Sequence, residues 1–181
     1  MRLEGLSQVW HNKRDCARLA IQRPEMVRIE SIADHLELVD TIARWHWDEW
    51  GHSDPTGSLQ SWIEGLRERT NRDSIPTTYI ALDGSELLGS ATLVEHDMST
   101  RLDLSPWLAG VYVKPEHRGR GVGSILVRHA VAEAAKMGVK RLYLYTNPAK
   151  EFYEKLGWRH VADDYYEGQP VFIMDIEPAP G

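Results

Sequence analysis

Apolar positions recur along this chain at two spacings, and the switches between them mark out the elements. Met26 to Ile32 carries Val27, Ile29 and Ile32 in near alternation, the pattern of a half-buried strand. A helical spacing comes next. Leu36, Val39, Ala43, Trp47 and Trp50 share one face, Asp34 is placed as the N-cap with Glu37 at the capping-box position, and Gly51 ends the helix. On this wheel Trp45 leans away from the apolar face. The segment His52-Ser53-Asp54-Pro55-Thr56-Gly57 has turn chemistry, and Ser58 caps a second helix to about Arg69, with Leu59, Trp62, Ile63 and Leu66 on one side. Thr77 to Leu82 and Leu87 to Val94 form two strands joined by a hairpin turn at Asp83-Gly84. After a polar connection, Ser99 to Ser105, and Pro106, the central strand runs from Trp107 to Val113.

Beyond Val113 the period changes again. Val122 to Met137 contains one glycine, Gly123 in its first turn, and no proline, and it aligns Leu126, Val127, Ala130, Ala134 and Met137 before Gly138 stops it. Leu142 to Tyr145 is a strand, Lys150 to Leu156 a short helix, and Trp158 to Tyr166 with Val171 to Ile176 a closing hairpin across Glu167-Gly168-Gln169-Pro170. These elements place one domain over residues 26–177. It is preceded by an N-terminal extension, residues 1–25, of mixed charge and scattered apolar positions. At the other end stands a Pro- and Gly-containing tail, expected to be disordered.

The chemistry concentrates where the central strand meets the long helix, in Lys114-Pro115-Glu116-His117-Arg118-Gly119-Arg120-Gly121-Val122-Gly123-Ser124. A glycine-rich turn that opens a helix gathers backbone N–H groups without intrahelical partners, and the helix dipole favours negative charge there. Glycines let the backbone approach a ligand closely, and Arg118 and Arg120 add positive charge. The stretch suits a phosphate or pyrophosphate. It is not a Walker A loop, because no lysine stands after the glycines. The Gly119-x-Gly121-x-Gly123 spacing is not the dinucleotide fingerprint either, and Leu142-Tyr143-Leu144 stands where that fingerprint expects an acid.

The pattern Arg118-x-x-Gly121-x-Gly123 resembles the acyl-CoA pyrophosphate loop of the GCN5-related N-acetyltransferases, the GNAT family. The preceding strand ends in Val-x-Val-x-Pro-Glu as that family's does, a second strand comes after the helix, and Phe152-Tyr153-Glu154-Lys155-Leu156-Gly157-Trp158 is similar to the family's F-Y-x-x-L-G-[FW] signature. The resemblance covers roughly residues 26 to 177, with its specific motifs between 107 and 158. It implies an α/β fold: a mixed, mostly antiparallel sheet flanked by helices, with a parallel strand pair that splays at the cofactor site. It also implies acetyl-CoA as co-substrate, without a metal, and transfer of the acetyl group to a primary amine of a small molecule or peptide.

Such a transfer needs a held cofactor, a polarised carbonyl, a deprotonated amine and a stabilised leaving thiolate. The resemblance assigns the pyrophosphate to the turn Arg118, Gly119, Arg120, Gly121, Val122, Gly123 and Ser124. It assigns the pantetheine arm and the carbonyl to the end of the central strand, Val111, Tyr112 and Val113. Tyr153, at the family's tyrosine position, is the candidate general acid toward sulfur. The family's asparagine on the cofactor arm corresponds to Thr146, with Asn147 beside it. Many relatives carry a glutamate on the central strand, but Leu108-Ala109-Gly110 has none. The nearest acid–base run is Glu95-His96-Asp97, from which Glu95 or His96 is the candidate base.

Composition narrows the partners further. The chain has 181 residues, 42% hydrophobic and 27% charged, with a net charge of −6. That balance fits one ordinary globular domain and argues against a nucleic-acid partner. No apolar run is long enough for a membrane span, and the first 25 residues are too polar for a signal peptide. A single cysteine, Cys16, excludes an internal disulfide and a cysteine-rich zinc site. A cytoplasmic location is the expectation, and a homodimer is left open. Two other classes compete: a transferase for another acyl group, and a non-catalytic acyl-CoA-binding module.

Overall fold

The computed structural model describes residues 26–179. The readings of Trp10 and Cys16 as packing residues, and of the N-terminal extension, lie outside the described residues. The chain forms a seven-stranded sheet in the order β1-β2-β3-β4-β5-β7-β6. The strands are β1 (Arg28–Ser31), β2 (Thr77–Asp83), β3 (Glu86–Val94), β4 (Trp107–Val113), β5 (Leu142–Thr146), β6 (Arg159–Tyr166) and β7 (Gln169–Ile176). Helices α1 (Val39–Trp50) and α2 (Leu59–Arg67) lie between β1 and β2, α3 (Val122–Lys136) comes after β4, and α4 (Lys150–Lys155) after β5. Every neighbouring strand pair is antiparallel except β4 with β5. The mixed sheet with one parallel pair is thus the expected architecture. Among the described residues no helix is long and apolar enough to cross a membrane.

Alternation along the strands assigns the two faces of the sheet. Tyr79, Ala81, Ala91, Leu93, Leu108, Leu142 and Leu144 point to one side, where they pack with Leu126, Val127, Ala130 and Ala134 of α3 and with Tyr153 and Trp158. The opposite face carries two separate apolar clusters. Ile80, Leu82 and Leu87 pack with Val39, Ile42, Ala43 and Leu66 of α1 and α2. Val94, Trp107, Ala109 and Ile173 pack with Met98, under the connection from β3 to β4. Between these clusters lies a buried polar strip, Thr78, Ser90 and Thr92.

Two local expectations are corrected. Asp34 does not cap α1. Ser31 caps a 3-10 turn over Ile32–Asp34 by accepting from the Ala33 N–H, and the chain takes a second 3-10 turn before α1 starts at Val39 without a side-chain cap. The Asp34 carboxylate instead accepts two hydrogen bonds from Arg72, at 2.6 and 2.9 Å. The apolar stripe of α1 is also turned from the one expected. Its buried residues are Val39, Ile42, Ala43 and His46, while Leu36 is exposed. Trp45, expected to lean away, packs against the core and lies 5.4 Å from the Tyr112 ring, and Trp47 meets Trp62 edge-on instead. At the far end, Glu177 pairs with Arg141 and Arg159 at 3.0 and 3.1 Å, so the last residue of the domain is tied down; residues 180–181 lie outside the described residues.

The approach of β3 to β4 makes one position unusually sensitive. A Cβ built on Gly89 would stand 2.3 Å from the Tyr112 carbonyl oxygen, a backbone atom that cannot move without opening the sheet. Gly89→Ala is expected to cost at least about 2 kcal/mol, toward the upper end of overpacking changes. That corresponds to a Tm lower by roughly 4–8 °C for a domain of this size. Thermal unfolding by circular dichroism checks it, and an unchanged Tm would show that the two strands are not held this closely.

Candidate active site

The parallel pair is barely a pair. Its register contains one match, Trp107 with Tyr143, beside the Tyr143 N–H donating to the Pro106 carbonyl at 3.0 Å. From Leu108 onward the β5-facing edge of β4 has no strand partner, and the two strands diverge. A register shift against β3 at the same level marks a bulge in β4, where Gly110 has φ +56. A side chain there would stand 3.1 Å from His46 Cε1, so glycine both permits the turn and leaves room for the ring above it. Val111, Tyr112 and Val113, the predicted carbonyl and pantetheine segment, come directly after this bulge and are half-buried.

The strand leads directly into the glycine turn. Gly119 and Gly121 have φ +74 and +85, and a Cβ added at either would meet nothing within 4 Å. Gly121 is the N-cap of α3, and no side chain caps it. The first-turn N–H groups of Val122, Gly123 and Ser124 have no partner within the helix. They open onto a concave backbone with space in front of it, and this geometry fits a pyrophosphate. Arg118 is engaged by the protein. Its Nε donates to the Val113 carbonyl at 2.8 Å, its guanidinium lies 5.6 Å from the Tyr112 ring centroid, and its NH2 reaches Glu49 at 3.4 Å. It braces the turn against β4 and α1, with half of its side chain exposed.

Tyr153 of α4 stands beside this mouth. Its neighbour Phe152 comes within 3.5 Å of a Cβ built on Gly123, which places α4 against the start of α3. Tyr153 is 9% exposed and packs edge-on against Phe152 and Trp158. Burial pushes its phenol up to about 12. Its hydroxyl has no hydrogen-bond partner among the described residues. Thr146 is used locally, accepting from the Ala149 N–H at 3.3 Å where α4 begins, and Asn147 donates to Gln169 at 3.2 Å. Thr146 and Asn147 therefore join the end of β5 to α4 and to the β6–β7 hairpin.

On the α1–α2 face a buried polar strip lies beside the same stretch of β4. His46 is buried above Gly110 with Nε2 2.9 Å from Ser90 Oγ, and burial holds its imidazole far down, at about 3. It is therefore neutral. Trp50 and Tyr112 flank it, at 5.2 and 6.4 Å between ring centroids. Thr78 and Thr92 continue the floor, with hydroxyls 3.1 Å apart. At the end of β3 the three residues of the predicted acid–base run diverge. Glu95 and His96 are exposed, and Glu95 accepts from Ser105 Oγ at 3.3 Å. Asp97 is half-buried; burial, partly offset by the charge of Arg69, pushes its carboxyl up to about 7.

Sequence reasoning missed His46, Arg69, Tyr145 and the polar strip of β2 and β3. One signal was readable: a lone histidine at position 46, spaced with Val39, Ile42 and Ala43 on a helical stripe. The others carry no local signature, because strand pairing and the return of the hairpin bring them together.

Comparison with known proteins agrees with this geometry. Residues 39–158 match the model of the Acetyltransferase (GNAT) family. A crystal structure of an aminoglycoside 6'-N-acetyltransferase complexed with coenzyme A is 20% identical, covers 85% of this chain and 98% of its own, and superposes with a TM-score of 0.68. The aminoglycoside 6'-N-acetyltransferase of Enterococcus faecium gives 20%, 85%, 98% and 0.65 for the same quantities. A chimeric spermidine N-acetyltransferase of Vibrio cholerae gives 17%, 84%, 95% and 0.62. At these identities the structures share the fold, and the family match, which spans most of the chain, supplies the rest. From its splayed strand pair, its glycine-lined helix start and that match, the chain belongs to the GNAT family of acetyltransferases.

Proposed function

We propose that this chain transfers the acetyl group of acetyl-CoA directly to a primary amine of a small molecule or peptide, releasing CoA. One observation carries the reading: the open edge of β4 is bordered by an uncapped, glycine-lined helix start and by a buried phenol whose hydroxyl has no partner among the described residues. The N–H groups of the turn, with Gly119 and Gly121 leaving the backbone bare, would hold the pyrophosphate. The edge of β4 beyond the bulge would pair with the pantetheine arm as an added strand pairs with a sheet. A backbone N–H at Val111, Tyr112 or Val113 would polarise the carbonyl. When bound, acetyl-CoA supplies the activated acyl group; everything else is done by this chain.

The state of Tyr153 defines what it can do. At about 12 the phenol keeps its proton across the working pH range. A thiol has an ordinary value near 8.5, so complete transfer from such a phenol would be roughly 5 kcal/mol uphill. Tyr153 therefore acts by donating a hydrogen bond to the departing sulfur while the negative charge develops there. The proton released by the acceptor goes to Glu95 or His96, in the acid–base run that comes just after β3. The family neighbours named for aminoglycoside and spermidine acetylation favour an acceptor that is an ammonium ion at neutral pH.

CoA release from acetyl-CoA, measured with spermidine, kanamycin and a lysine-containing peptide, tests the reaction. Turnover of at least one of them is expected, and binding of acetyl-CoA with no turnover of any would favour a binding module. Gly121→Asp places a carboxylate in the concavity at φ +85 and is expected to weaken acetyl-CoA at least tenfold, about 1.4 kcal/mol. Calorimetric titration checks this, and wild-type affinity would remove the turn from the cofactor site. Tyr153→Phe is expected to lower kcat by roughly 10–100-fold. Acetyl-CoA affinity should be nearly unchanged and stability should stay within about 1 kcal/mol of wild type, because the hydroxyl it deletes has no partner to lose. An unchanged kcat would take Tyr153 out of the mechanism.

A further inference from the structure

We infer that Glu86 and His117 are positioning residues for the pyrophosphate turn: Glu86, at the start of β3, holds the His117 ring and through it fixes the pose of the glycine backbone that opens α3. The inference rests on that turn being the cofactor site.

The turn has little of its own to hold it. Gly119 and Gly121 have positive φ, and a Cβ added at either would meet nothing within 4 Å, so no packing restrains them. Glycine also leaves the backbone its widest choice of conformations. A backbone that must be ordered when its ligand arrives gives up affinity for that order, and one held in place beforehand does not. After Gly121 the chain is continuous with α3, whose apolar stripe is fixed on the sheet. Before Gly119 the fixing falls to the 3-10 turn Pro115–His117 and to Arg118.

Two adjacent side chains leave that point for different faces of the sheet. Arg118 reaches the Val113 carbonyl, the Tyr112 ring and Glu49 of α1. His117 goes to β3, where its Nε2 lies 3.0 Å from a carboxylate oxygen of Glu86. Glu86 shares a face with Leu88, which packs in the α3 core, while Leu87 between them packs with α1 and α2. Lys114 fastens the same corner. Its N–H donates to the Leu88 carbonyl at 2.9 Å, and its Nζ lies 3.4 Å from Glu86 and 2.8 Å from Glu116. The entry to the turn is thus strapped to β3 on one side and to β4 and α1 on the other.

The chemistry of the pair is that of a strap rather than of packing. His117 is buried, and its Nδ1 has no hydrogen-bond partner among the described residues. An apolar ring would fill the space without leaving a polar atom dry, so a histidine here costs stability and supplies the bond from Nε2 in exchange. The hydrogen bond from His117, with that from Lys114, holds the Glu86 carboxyl below the usual carboxylate range. An ionised carboxylate only accepts, which places the N–H on Nε2 and orients the ring. The charge of Glu86 has the wrong sign for its place, because a carboxylate at the entry to an anion-binding turn opposes the anion. Charge and positioning therefore make opposite predictions. Removing Glu86 should tighten acetyl-CoA if only its charge acts there, and weaken it if Glu86 holds the turn.

Calorimetric titration of acetyl-CoA into wild type, Glu86→Ala, Glu86→Gln, His117→Phe and the double variant Glu86→Ala/His117→Phe, with Tm measured for each, decides between them. Glu86→Ala should weaken acetyl-CoA about fivefold or more although it removes a negative charge. Glu86→Gln keeps an oxygen that can accept from Nε2 and should stay within about twofold of wild type. His117→Phe keeps a planar ring and should weaken acetyl-CoA about as much as Glu86→Ala, while its Tm does not fall, since no nitrogen is left buried without a partner. The double variant should bind no more weakly than the weaker single variant, because the two residues act through one bond. With any amine that wild type acetylates, Glu86→Ala should raise KM for acetyl-CoA with little change in kcat. Unchanged or tighter binding in Glu86→Ala, an equal loss in Glu86→Gln, or additive losses in the double variant overturns the positioning role. A fall in Tm that accompanies the loss of affinity in His117→Phe overturns it too, and assigns the histidine to the fold. Gly121→Asp separates the two levels of the reading. Wild-type affinity in Gly121→Asp overturns the turn as the cofactor site, and the inference falls with it; weak binding there beside normal binding in Glu86→Ala overturns the positioning role alone.

Discussion

The single bridged residue pair between β4 and β5 is the constraint on which the rest of the molecule depends. Two parallel neighbours in a sheet ordinarily pair along their whole length, and here they part after Trp107 and Tyr143. Trp107 is fully buried, with its indole N–H donating to the Leu104 carbonyl at 2.8 Å, and it anchors the closed end of the fork. Gly110 supplies the other half of the cause. Its positive φ inserts a bulge that turns β4 away, an arrangement a side chain would oppose both by its backbone preference and by contact with His46. The result is an internal sheet edge whose backbone groups are available to a ligand rather than to another strand.

Everything with chemical potential is arranged around that fork. The glycine turn and the start of α3 lie past its open end because α3 must return along the face that its apolar stripe covers. The same packing brings α4, and with it Tyr153, against the first turn of α3. On the opposite face two apolar clusters cover the sheet, with the buried polar strip of Thr78, Ser90 and Thr92 between them.

Burial drives three functionally distinct groups of this region, Tyr153, His46 and Asp97, toward their neutral forms. It raises the Tyr153 phenol, lowers the His46 imidazole and raises the Asp97 carboxyl. One physical cause produces three different chemical characters: a donor that keeps its proton, a neutral ring that orients a hydroxyl, and a carboxyl balanced between its two forms. Desolvation of the site therefore sets the proton inventory without requiring close charge pairs. Arg69 and Glu167 adjust Asp97 from a distance, in opposite directions.

The order of elements was legible in the sequence because each was written in local terms: alternation for strands, a helical stripe for α3, Ser58 as a cap, Gly138 as a stop. The bounds of β4 came out as Trp107–Val113, and Val122 as the start of α3, since proline and glycine punctuate that stretch. The glycine turn and Tyr153 were legible for the same reason, each lying in a short continuous motif. The α1 face was misjudged because its helical wheel offers too many aromatics: Trp45, Trp47 and Trp50 cannot all point inward, and only Tyr112 and Trp62 across the interface decide where each goes. Asp34 was misassigned because Arg72, 38 residues away, competes for its carboxylate. The acid–base run could be found just after β3, but not which of its members is half-buried, because β3 stops at Val94 and strand alternation no longer orients Glu95, His96 and Asp97. That orientation is set by Tyr166 on the returning hairpin and by Met98 in the core beneath, contacts between segments about 70 residues apart that no local pattern encodes.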